Sequence, residues 1–120
     1  MDGFGARAPY VERLAQREGA LRKGVARIIA SCTEIRDIRA AYVFGSFARG
    51  SVRLRSDLDI LIVRETDLRR AERDLDVRRA FECAVGLDLI VVTPHEYAHV
   101  LPTTAFGQTI LAESVSIYAA

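Results

Sequence analysis

The chain has 120 residues and a formal net charge of +1, which argues against several domains and against a protein that relies on broad electrostatic attraction to nucleic acid. Half of its residues are apolar, but no apolar run approaches the roughly eighteen needed to span a bilayer, and Met1-Asp2-Gly3 opens no signal peptide. A chain of this length buries about two-thirds of its unfolded surface, enough for one core, so residues 1–120 read as a single domain without a membrane segment, expected in the cytoplasm.

Gly3-Phe4-Gly5-Ala6-Arg7-Ala8 mimics a dinucleotide fingerprint, but no strand precedes it, and it reads as a flexible terminus. From Pro9 to about Ser31, Val11, Leu14, Leu21, Val25, Ile28 and Ile29 form a helical stripe with charged residues opposite, a pattern of core packing. Cys32 and Cys83 each sit in an apolar helical pattern, as buried free thiols rather than a disulfide or a metal pair. Ile38 to Phe44 and Leu58 to Val63 are rich in β-branched and apolar residues and read as strands.

Between these strands lie the residues that carry chemistry. Gly45-Ser46 ends the first strand, lets the backbone turn sharply toward a ligand, and offers a hydroxyl and N–H groups to phosphate oxygens. Arg49, Arg53 and Arg55 follow, and guanidinium groups match phosphate oxygens bidentately. Asp57 and Asp59 open the second strand. Alternation along a strand places both on one face while Leu58 and Ile60 point into a core. Two carboxylates on one face repel unless a cation sits between them, and Mg²⁺ takes such oxygen ligands together with substrate phosphates.

Downstream, Asp67 is positioned to cap a helix from Leu68 to about Val85, with Leu68, Ala71, Leu75, Phe81 and Val85 buried and Arg69, Arg70, Glu72, Arg73, Asp74 and Asp76 on the wet side. Gly86 ends it and feeds the strand Leu87 to Val92, which carries Asp88 near its start. His95-Glu96-Tyr97-Ala98-His99 matches a zinc-hydrolase pattern. Pro94 and Pro102 confine that helix to about two turns, and Glu113 is the only downstream acid to serve as a third ligand, so no zinc is expected. His95 to Leu101 and Thr104 to Ala112 read as short helices, and Val115 to Tyr118 as a last strand.

Gly45-Ser46, ten residues, then Asp57-x-Asp59 resembles the signature of the DNA polymerase β-like nucleotidyltransferase superfamily. Gly45, Ser46, Phe47, Ala48, Arg49 and Gly50 are similar, position by position, to the motif of its minimal nucleotidyltransferases. The resemblance implies a compact α/β fold with a small mixed β-sheet packed by helices, and a third carboxylate on a neighbouring strand, where Asp88 falls. It implies that Asp57, Asp59 and Asp88 are catalytic and hold two Mg²⁺ ions, that Gly45 and Ser46 bind the β- and γ-phosphates of ATP, and that Arg49 is a further phosphate contact.

Larger relatives carry acceptor-binding domains for which these 120 residues leave no room, so a partner is expected to supply the acceptor. Minimal nucleotidyltransferases resemble the antitoxin half of a module whose other half is a HEPN-domain ribonuclease toxin, which implies transfer of AMP to a tyrosine of that toxin. The alternatives are nucleotidylation of a small hydroxylated molecule such as an aminoglycoside, and a catalytically idle module that masks its partner. Base preference and homo-oligomerisation stay open.

Overall fold

Asp2–Cys32 forms one long helix, α1, in a computed structural model that describes residues 2–81 and 85–120, with side chains from Pro9 onward. The stripe is buried from Leu21 through Ile28 to Cys32, whereas Tyr10 and Val11 are exposed. Gly3–Ala8, expected as a flexible terminus, is helical instead. The Pro9 ring forfeits one backbone bond without ending the helix. Burial pushes the Cys32 thiol up to about 11, and it is a free cysteine; Cys83 lies outside the described residues.

Four strands, β1 (Ile38–Phe44), β2 (Leu58–Arg64), β3 (Leu87–Val92) and β4 (Val115–Ala119), form one mixed sheet in the order β3-β2-β1-β4. β1 runs antiparallel to β2 and β4, and β2 runs parallel to β3. Against one face, Ala41, Val43, Leu58, Ile60, Ile62, Leu89 and Val91 pack with Leu21 and Ile28 of α1 and with Val77, Phe81 and Val85 of the β2–β3 crossover. Against the other, Phe44, Leu61, Val63 and Val92 pack with Leu101 and Ile110. β2 is thus covered on both sides, which explains why its sequence is almost continuously apolar.

The crossover departs from the single helix expected between Leu68 and Val85. It consists of a 3₁₀ turn at Arg70–Glu72 and a short helix, Leu75–Ala80. Leu68 and Leu75 are exposed, and Val77 with Phe81 carries the buried contact. Arg73, expected on the wet side, is buried and donates through Nε to the Leu68 carbonyl at 2.9 Å and through Nη1 to Glu96 at 2.5 Å. A continuous helix would give the Leu68 carbonyl to the Glu72 N–H; that N–H bonds Arg69 O instead. Asp67 caps neither piece. Further on, helices span Pro94–His99 and Ala105–Glu113 with a 3₁₀ turn, Leu101–Thr103, between them, close to the expected positions. No described helix is long and apolar enough to cross a membrane.

Candidate active site

The chain leaves β1 at Phe44, which lies opposite Asp59 in the antiparallel register. Gly45 then takes φ +75° and turns into the one-turn helix Gly45–Arg49. A Cβ on Gly45 would lie 2.0 Å from Asp59 Oδ2, so both the backbone angle and the close approach require glycine here. Gly86 is the counterpart for Asp57: a Cβ there would lie 2.5 Å from Asp57 Oδ1, and its carbonyl accepts the Leu58 N–H at 3.0 Å. Each aspartate of the pair is therefore seated under a glycine, one from the end of β1 and one from the entrance to β3.

Asp59 shares the face of Leu61 and Val63, while Leu58 and Ile60 are fully buried on the opposite face. The parallel register sets Asp88 directly beside Asp59. Burial, a hydrogen bond with Asp88 and the negative charges of Asp88 and Asp57 push the Asp59 carboxyl up to about 6, against an opposing pull from Arg49. The fold thus brings the carboxylates of Asp57, Asp59 and Asp88 to one end of the sheet, with Asp57 and Asp88 exposed and Asp59 half-buried.

Ser46 lies in the first turn of Gly45–Arg49, which has no side-chain cap, and its hydroxyl is 3.2 Å from that of Ser56. Ser56 also accepts the Arg53 N–H at 2.7 Å, and Arg17 of α1 donates to the Leu54 carbonyl at 2.8 Å, which pins the loop to the core helix. Ser56 escaped sequence reasoning, because a serine beside an aspartate carries no signal of its own. Arg53 and Arg55 are exposed. Arg49 is held by Glu113, whose two carboxylate oxygens accept from its Nη1 at 2.9 and 3.0 Å.

The zinc-like motif has a different role. Glu96 closes a capping box with Thr93 and accepts from buried Arg73, so its carboxylate is engaged structurally. His95 and His99 are exposed, with ring centroids 4.7 Å apart.

The aspartates and the Ser46 hydroxyl are hard oxygen donors of the kind Mg²⁺ takes, and burial together with the neighbouring charges of Asp88 and Asp57 raises the Asp59 carboxyl. The residues fit such an ion. Among the described residues, however, no group of three or more His, Cys, Asp or Glu side chains is arranged to hold a metal alone. Phosphate and water would have to complete the shell.

A glycine-serine turn thus stands against paired carboxylates on adjacent strands. The family model for polymerase β nucleotidyltransferases matches residues 26–119, and the chain belongs to that family. A Sulfolobus solfataricus protein provisionally assigned as a nucleotidyltransferase is similar in structure, with a TM-score of 0.61 at 21% identity over 92% of this chain and 86% of its own. A toxin–antitoxin structure with AMP-PNP matches with a TM-score of 0.55 at 20% identity over 80% of this chain and 73% of its own. A variant of the MntA–HpeT toxin–antitoxin gives 0.52 at 17% identity over the same shares. No curated protein sequence matches.

Proposed function

We propose that the chain transfers AMP from ATP to a hydroxyl of a partner protein, and that the partner is a HEPN-domain toxin which it silences as an antitoxin in the cytoplasm. The observation that carries the reading is the Asp59–Asp88 pair held in register beside Gly45-Ser46, with Asp57 close enough to raise the Asp59 carboxyl further. The likeness to toxin–antitoxin structures, one of them with AMP-PNP, supports the choice of nucleotide and partner. One of those is a variant in which two aspartates two positions apart are changed to glutamate, the spacing of Asp57 and Asp59 here.

Asp57, Asp59 and Asp88 would hold Mg²⁺, which when bound offsets the charge of the triphosphate. Ser46 and the Gly45 turn position the β- and γ-phosphates, and Arg49 adds a cation beside them. Asp88, exposed and next to Asp59, takes the proton of the acceptor hydroxyl. The acceptor oxygen bonds the α-phosphorus, the bond to the bridging oxygen breaks, and pyrophosphate leaves. Changing Asp57 and Asp59 together to asparagine is expected to abolish transfer of labelled AMP from ATP while the fold and the partner complex persist. A double variant that protects cells from the toxin as well as wild type would make steric masking, not catalysis, the function.

A further inference from the structure

Glu113 is the last residue of the helix Ala105–Glu113, at the negative end of the helix dipole, where a carboxylate is disfavoured and a base is preferred. No basic residue stands in that last turn, and Glu113 is only 20% exposed. Local structure thus gives no reason for an acid here. Its described partner lies 64 residues earlier in the chain: Arg49, in the last turn of the helix that follows the Gly45 turn. Both Glu113 oxygens accept from a single nitrogen, Nη1. The other edge of the guanidinium, Nε with Nη2, is therefore left clear of Glu113. Arg49 is also close enough to Asp59 to draw its carboxyl downward.

The helix that carries Glu113 is firmly seated. Thr104 caps it by accepting the Gly107 N–H at 2.9 Å, and a Cβ on Gly107 would lie 2.0 Å from the Leu101 carbonyl, so the helix sits directly on the preceding turn. It packs against the Arg49 helix and runs straight into β4. A half-exposed ion pair contributes little to stability. What it does provide is direction, since a long flexible arginine loses less freedom on meeting a ligand when one edge is already fixed.

We infer that Glu113 is a positioning residue: it grips Arg49 by Nη1 and presents the free edge of the guanidinium to the triphosphate beside Asp59. The inference rests on the nucleotide-binding reading of the site. It assigns a role to a residue that neither the glycine-serine motif nor the aspartate spacing includes.

The test is calorimetric titration of ATP with Mg²⁺ into wild type, Glu113→Gln, Glu113→Asp, Arg49→Ala and the double variant Arg49→Ala/Glu113→Gln, each with its thermal midpoint. Arg49→Ala is expected to weaken ATP about tenfold, the scale of one charge-assisted hydrogen-bonded contact. Glu113→Gln should weaken it several-fold, Glu113→Asp less, and Glu113→Gln should add nothing once Arg49 is gone. An equal loss from Glu113→Gln in both backgrounds would show a role that does not pass through Arg49 and would overturn the inference. Tighter ATP binding by Glu113→Gln would overturn it too, by making Glu113 a competitor for Arg49. If Arg49→Ala weakens ATP and Glu113→Gln does not, the positioning role alone fails. If Arg49→Ala has no effect, the reading of Arg49 as a phosphate contact fails first.

Discussion

At the scale of single residues, the site sets a half-buried carboxyl beside like charge. Asp59 ionises at an ordinary 3.8 in the unfolded chain and at about 6 in the fold. Between those values the fold holds more protons than the unfolded chain, so the contribution of this group to stability is best at the acid end and falls as pH rises through about 6. In EDTA, the thermal midpoint of Asp59→Asn should therefore gain on that of wild type between pH 4 and pH 7. A difference that stays flat over that range would contradict the raising of the Asp59 carboxyl by burial and by its contact with Asp88. The places of Gly45 and Ser46 at the end of β1 and of Asp57 and Asp59 at the start of β2 were legible in local spacing, whereas Asp88 was singled out only by the family resemblance. Glu113 and Ser56 were not legible, since each acquires its meaning from a residue that only the tertiary fold or a loop closure brings near.

At the scale of elements, the strands followed from β-branched runs almost to the residue, and the crossover did not follow from its pattern. A charge run reads as solvated surface when only neighbours in sequence are considered. Arg73 instead goes inside, because Glu96, in a helix beyond β3, meets it there at 2.5 Å. That pair joins the crossover to the helix after β3 and gives the glutamate of the zinc-like motif a structural contact. Replacing Glu96 with glutamine leaves the Arg73 charge buried without its partner and should cost about 2–4 kcal/mol in urea denaturation. His95→Ala and His99→Ala, both at exposed positions, should stay within about 0.5 kcal/mol of wild type. Should the histidine variants prove the more damaging, the structural role given to Glu96 would be wrong.

At the scale of the whole molecule, the shape is set by one long helix on a small sheet. The principal extents are 60 × 31 × 24 Å, and a 31-residue helix is itself about 46 Å long. Ile28 is fully buried and Val11 exposed, so Ile28→Ala should cost about 2–4 kcal/mol while Val11→Ala leaves the unfolding midpoint unchanged. Equal losses from the two would mean that Val11 is covered in solution. The parallel pairing of β2 with β3 has a consequence in time. The antiparallel β1–β2 unit, with Gly45, Asp57 and Asp59, needs only its own connecting segment to form. Asp88 joins Asp59 only after the whole crossover has been made and folded back, because a parallel neighbour cannot be reached by a tight turn. Arg49 waits longer still, for Glu113. A chain emerging from the ribosome therefore displays the signature motif well before it owns the Asp59–Asp88 pair, and a product that stops short of β3 carries the motif with that pair unformed.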